Sequence, residues 1–253
     1  MPQSAKGVNF GKEAKRDKMS FDKSVGWADC SLNPILGLCP NKCRLPDGRA
    51  YCYYSGERGL AYRFKQNPKL RLDLSVFDGL PRKPKRLFLC STNDYWGDWI
   101  PDEWREAIRQ KTQEEPQHIF QVLTKQPQNL VQFSPYPDNW WIGVTATNNK
   151  QYQSGLIGLA PIQAKIKFIS FEPLLEHIAL NSPCTFSEVD WVIIGRLTGF
   201  GRKYDPKLEW VEAIVKSCGE AGIPIFLKNN LREIWQDKLI QQFPQAGFRK
   251  IEL

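Results

Sequence analysis

Trp140-Trp-Ile-Gly-Val-Thr145 is apolar on both of its alternating faces and stops on a polar residue. Runs of this kind belong to strands covered on both sides, as in a parallel sheet flanked by helices. Five more apolar runs follow the same plan: Arg86-Leu-Phe-Leu-Cys90, His118-Ile-Phe-Gln-Val-Leu-Thr124, Ile166-Lys-Phe-Ile-Ser170, Asp190-Trp-Val-Ile-Ile-Gly195 and Ile223-Pro-Ile-Phe-Leu-Lys228. A weaker seventh strand is placed between Val25 and Leu32, just before Asn33-Pro34. Helical segments lie between the strands. Pro101-Asp-Glu-Trp-Arg-Glu-Ala-Ile-Arg109 has the proline and first-turn acids of a helix start. Lys207 to Cys218 puts Leu208, Val211, Ile214, Val215 and Cys218 on one face, and Gly219 and Gly222 are expected to end it. Alternating strand and helix predicts a parallel α/β fold.

Polar residues gather where each strand ends: Ser91-Thr92-Asn93-Asp94, Thr124-Lys125, Thr145, Ser170 with Glu172, Gly195-Arg196 and Lys228-Asn229-Asn230. In a β/α barrel such ends converge on one mouth, where active sites are built. An open sheet does not bring six of them together. The expectation is therefore a partial or full TIM-like barrel of six to seven parallel strands. It forms a single domain over 25–253, preceded by a basic, flexible tail over 1–24.

The 253 residues are enough for a full core, and 42% hydrophobic with 25% charged residues is ordinary for a globular protein. No apolar stretch approaches the roughly 18 residues of a membrane helix, so no membrane association is expected. The opening residues are polar and basic, without the apolar centre of a secretory signal, which points to the cytoplasm. There the seven cysteines are expected as metal ligands or buried thiols, not disulfides. The net charge of +8 is compatible with a polyanionic partner such as nucleic acid. The basic runs, in the tail and at Pro81-Arg-Lys-Pro-Lys-Arg86, read first as solvated segments.

Cys39, Cys43 and Cys52 fall within one loop over 33–54, among Gly, Pro and Asn residues that keep the backbone irregular. Thiolates so spaced suit an iron–sulfur cluster or zinc. Three ligands on a four-iron cluster leave one iron open; a structural zinc needs a fourth, which Cys30 can supply. Cys90, Cys184 and Cys218 stand alone and read as core residues.

The loop Asn33-Pro-Ile-Leu-Gly-Leu-Cys39 with Cys43 and Tyr51-Cys52-Tyr53 resembles that of a phage-associated, three-Cys-motif family of radical-SAM-like proteins, distantly similar to spore photoproduct lyase-type enzymes. Arg63-Phe64-Lys65, Leu123-Thr124-Lys125-Gln-Pro127, Trp141-Ile-Gly-Val-Thr145 and Phe168-Ile-Ser-Phe-Glu-Pro-Leu-Leu175 continue the likeness in order. Two features depart from it. Eight residues separate Cys43 from Cys52 where the family has two, and Gly195-Arg-Leu-Thr-Gly199 replaces a Gly-Gly-Glu-Ser-Gly pattern.

The resemblance implies a 4Fe–4S cluster on Cys39, Cys43 and Cys52, with S-adenosylmethionine bound to the open iron and cleaved reductively to a 5′-deoxyadenosyl radical. It further implies cofactor contacts from Tyr51, Ser91, Thr92, Asp94, Thr145, Ser170 and Gly195, with Glu172 and Lys228 as substrate-contacting or proton-handling catalytic residues. The partners it implies are an electron donor, a dedicated protein encoded nearby, and nucleic acid as a substrate class. The rival readings are a zinc-stabilised barrel and a nucleic-acid-binding module without radical chemistry.

Overall fold

The structure, a computed structural model of the chain, describes residues 19–20, 25–52, 67–180, 186 and 188–245. Most of the expected tail, Tyr53, the Arg63-Phe64-Lys65 segment and Cys184 lie outside the described residues.

The main sheet has eight strands: β1 (Met19–Ser20), β2 (Cys30–Leu32), β5 (Arg86–Leu89), β6 (Ile119–Thr124), β7 (Trp140–Thr145), β8 (Ile166–Phe171), β9 (Trp191–Ile194) and β10 (Ile225–Leu227). From β2 to β10 the strands pair in parallel and in chain order, which makes a curled half-barrel and not a doubly wound sheet with a reversal. A short second sheet joins β3 (Ile35–Leu36) to β4 (Arg71–Leu72). Among the described residues three helices serve as crossovers: α1 (Asp102–Gln113) between β5 and β6, α2 (Asn149–Leu159) between β7 and β8, and α3 (Leu208–Ala221) between β9 and β10.

Both edges of the sheet are covered antiparallel. β1 pairs with β2 on one side. On the other, residues 240–242 run beside β10, with Leu227 N–H donating to Ile240 at 2.7 Å and Gln242 N–H to Ile225 at 2.9 Å.

Alternation along the strands separates two buried clusters. Leu87, Leu89, Val122, Ile142, Ile169 and Ile194 face outward and pack with Ile108 of α1, Tyr152 of α2 and Val211, Ile214 and Cys218 of α3. Trp141, Phe168, Trp191, Ile193 and Phe226 face inward, where Trp27 and Phe243 plug the concave side. Gly143 makes room for that plug, since a Cβ there would meet the Phe168 ring at 2.3 Å.

The strands follow the sequence reading closely. Helix α2 is one element the reading did not name, and its interior glycines explain why. A Cβ on Gly155 would meet Val144 at 2.8 Å, and one on Gly158 would meet the Pro127 carbonyl at 2.5 Å. These glycines lower helix propensity but let α2 lie close against the sheet. Helix α3 also runs further than read: Gly219 is helical, and Gly222 ends it with φ +68°.

Candidate functional site

Continuing the inward-facing registers past the aromatic floor gives Lys125, Thr145, Ser170, Gly195 and Lys228, with Glu172 one step above Ser170, while Cys90 leaves β5 with φ +58° and packs with the outward cluster as it borders the mouth. The parity that buries the plug thus also turns the strand-end polar residues into the mouth of the half-barrel.

The β2 side of the mouth carries the cysteines. Cys39, Cys43, Cys52 and Cys90 line one depression of about 80 Å³ together with Asn41, Ser91, Thr92, Asn93, Asp94 and Lys125. An outer groove of about 300 Å³, lined by Leu38 to Arg44 and Ala50, shares Cys39, Asn41 and Cys43 with it. The long spacing between Cys43 and Cys52 is absorbed by a hairpin. Leu45 N–H donates to Arg49 at 2.9 Å, Gly48 N–H to Leu45 at 2.9 Å, and Gly48 takes φ +83°. This is the three-residue turn that a Pro-Asp-Gly tip favours. At its foot Tyr51 N–H donates to the Cys43 carbonyl at 3.1 Å. The two cysteines therefore end side by side, with the Cys43 thiol hydrogen-bonded to Cys52.

The second half of the pocket is held by buried polar bonds. Asn33 Oδ1, at the end of β2, accepts from Ser91 Oγ and Thr92 N–H, both at 3.1 Å. Asp94 is committed inside the protein: its carboxylate accepts from Thr124 Oγ1 at 2.8 Å, Lys125 N–H at 2.8 Å and Trp96 N–H at 3.2 Å. Burial raises its pKa despite these bonds. Its visible work is to fix the turn that presents Lys125. Thr92 Oγ1 and Asn93 Oδ1, by contrast, are buried against the cavity without a hydrogen-bond partner. Orphaned polar atoms facing a cavity are what a ligand site leaves when viewed alone.

Electrostatics at this end centre on the thiols. Burial pushes Cys39 up to about 11. The bond to Cys52, then burial, pushes Cys43 much further up. Burial also lifts the Tyr51 hydroxyl to about 12, beside Lys125, Cys43 and Cys52. Lys125 shows the opposite balance. Burial alone favours its neutral amine, but Cys43, Tyr51, Cys52 and Asp94 outweigh it and hold the ammonium charged. Lys125 Nζ reaches Thr145 Oγ1 at 3.5 Å, linking this pocket to the next strand.

At the β8–β10 side, Lys228 Nζ donates to Glu172 in a tight ion pair. Gly195 lies against it: a Cβ there would stand 3.0 Å from Lys228 Cδ and 3.1 Å from Glu172 Cδ. Ser170, registered with Thr145 across β7 and β8, is fully buried and its hydroxyl has no partner. Arg196, where the resemblance leads one to expect an acid, is turned into an internal network with Asp205 at 3.0 Å and Glu233 at 3.2 Å.

Every expected site residue therefore lies along one mouth, in two groups joined by Lys125, Thr145 and Ser170. Lys125 and Cys90 are additions to the expected set. The signal for Lys125 was parity at a strand end; an isolated cysteine in an apolar run reads as core, and Cys90 is both buried in the outward cluster and cavity-lining. Cys30 stands apart. It begins β2, and its electrostatic neighbours are Asp29 and Lys85, not the three loop thiols. The basic run ending in Arg86 also lies away from the mouth, where Arg86 binds Asp29 and covers the Phe243 ring at 3.8 Å.

Among the described residues, no three Cys, His, Asp or Glu side chains form the ligand set of a single metal ion. None of the described helices is long and apolar enough to cross a membrane. A family model described as "Protein of unknown function (DUF5131)" matches residues 22–242, and the chain belongs to that family. No curated protein and no solved structure matches the chain.

Proposed function

We propose that the chain is a radical S-adenosylmethionine enzyme, with a 4Fe–4S cluster on Cys39, Cys43 and Cys52 and its substrate held in the mouth of the half-barrel. The observation that carries this reading is the cavity lined by three loop thiols, by two residues with orphaned polar atoms and by a half-buried cation, Lys125. The donor set fits a polynuclear centre. Three thiols border one space, and thiolates are the ligands that a 4Fe–4S cluster takes. The fold adds support, since the loop follows the first parallel strand and overhangs the C-terminal mouth.

When bound, the cluster and S-adenosylmethionine supply reductive carbon–sulfur cleavage and a 5′-deoxyadenosyl radical. The chain's own residues do the rest. Loading the thiols releases their protons, and Lys125 offsets part of the negative charge that results. Thr92 and Asn93 line the cavity and each hold a buried oxygen without a partner, an acceptor that a small side-chain shift opens to an amino donor; Ser91 is oriented by Asn33. Asp94 acts as a positioning residue through Lys125. Two strand spacings, roughly 10 Å, separate the end of β6 from that of β8. A substrate lying along the mouth reaches the Glu172–Lys228 ion pair, in which Lys228 Nζ donates to the carboxylate.

The test is preparation without oxygen and reconstitution with iron and sulfide. The expected result is visible charge-transfer absorption, about four irons per chain, and 5′-deoxyadenosine on reduction with S-adenosylmethionine. Zinc in place of iron, or no metal after reconstitution, overturns the reading.

A further inference from the structure

The hairpin between Cys43 and Cys52 does more than close its own foot. Its tip reaches residues 157 positions away, in the connection from β9 to α3 that begins at Gly195. Tyr204 OH donates to Asp47 Oδ2, and Arg49 Nη2 donates to Tyr204 OH at 3.0 Å. Arg49 also bonds Asp47 through Nε at 2.9 Å, and its guanidinium lies 5.8 Å from the Phe200 ring centre and 5.7 Å from that of Tyr204. Lys203 approaches Asp47 at 3.8 Å from the same wall. β2 is the first parallel strand of the half-barrel and β9 the sixth, so these contacts span nearly its whole width.

We infer that the eight residues between Cys43 and Cys52 form a strap across the mouth, and that Asp47, Arg49 and Tyr204 are positioning residues that hold the thiols at its foot by clasping its tip to the far wall. A two-stranded hairpin is marginal by itself in water. Its tip contacts therefore decide how well Cys43 and Cys52 stay side by side. Asp47 and Arg49 are exposed and Tyr204 is half-buried, all outside the buried clusters, so cutting the clasp leaves those clusters intact. It couples two parts of the mouth: loosening the wall beside Gly195 loosens the thiols. The strap's importance for catalysis rests on the iron–sulfur reading, but its geometry does not.

The experiment uses the full chain without metal. Thiol alkylation at pH 8 is followed residue by residue by mass spectrometry, with hydrogen exchange read over 197–205. Three proteins are compared: wild type, Tyr204→Phe, and Asp47→Ala with Arg49→Ala. The double variant is expected to label Cys43 and Cys52 about tenfold faster and to exchange faster over 197–205. Tyr204→Phe keeps the ring and loses the hydroxyl bonds, so it falls between. Cys218, buried under α3, keeps its wild-type rate throughout. Wild-type labelling of Cys43 and Cys52 in the double variant overturns the strap. So does a parallel rise at Cys218, which reports general unfolding. Reconstitution with iron and sulfide is the separate arm: wild type that takes up no iron removes the proposed function, while the labelling result still judges the strap.

Discussion

Two lysines, Lys125 half-buried and Lys228 buried, mark the two ends of the mouth, and they are used differently. Lys228 is closed on Glu172, with Gly195 clearing the space, so the pair has answered most of its own charge. Lys125 has no carboxylate of its own. Asp94 accepts from its backbone, and its ammonium faces Thr145, Tyr51 and the thiols. The difference separates an arrangement complete within the chain from one that gains a counter-charge when the thiols ionise. A finished pair contributes preorganisation; an unfinished one marks where a ligand enters.

The comparison is sharpened most by thiol reactivity. Cys39 is held near 11 against an ordinary 9.0, so at pH 8 its thiolate fraction, and its alkylation rate, should be about a hundredfold below that of a free thiol. Lys125→Met should slow it further, because Lys125 lowers the Cys39 pKa, whereas Lys228→Met should leave it unchanged. Since the folded state keeps the proton more tightly, the stability this contributes is complete below about pH 9 and is lost as pH rises through about 11. Equal slowing by both lysine variants breaks the distinction.

The next effect falls at the opposite end. Lys228→Met leaves Glu172 half-buried without its cation and should cost about 1–3 kcal/mol in denaturant unfolding, discounted for the carboxylate's 27% side-chain exposure. Pairing it with Glu172→Gln should recover part of that loss, which a double-mutant cycle reads directly. Gly195→Ala is milder. A Cβ at 3.0–3.2 Å from two side chains forces a shift of a few tenths of an ångström, expected to cost about 1 kcal/mol in the same unfolding assay. The smallest effect is Thr92→Val, which removes a hydroxyl that has no partner. Stability should stay within about 0.5 kcal/mol, while iron uptake or S-adenosylmethionine binding, measured on the reconstituted protein, falls. A large stability loss would show that Thr92 serves the fold instead.

The fold was legible because its signal is repeated. Trp140 to Thr145 is buried at all six positions, as its two apolar faces predict, and β8, β9 and β10 behave likewise, while β5 and β6 are half-buried at two positions each. What stayed hidden depends on contact between distant residues. Nothing local announces that the glycines of α2 admit Val144 and Pro127. The strand-end residues were legible as a group, yet their division into a closed pair and an open pocket was not, since it turns on which partner each side chain meets. Asp94 shows this best: its sequence position suggests a ligand contact, and its three internal bonds show a support for Lys125. The hairpin turn was readable from Pro46-Asp47-Gly48, but its reach to Tyr204 was not.

The covered sheet edges have a consequence for recognition. With β1 hemming one border and residues 240–242 the other, neither β2 nor β10 offers an unpaired row of amides and carbonyls for a foreign strand to zip onto. Any macromolecule that docks on this chain must then be told apart by side chains and loops, and main-chain pairing with the barrel strands gives it no foothold.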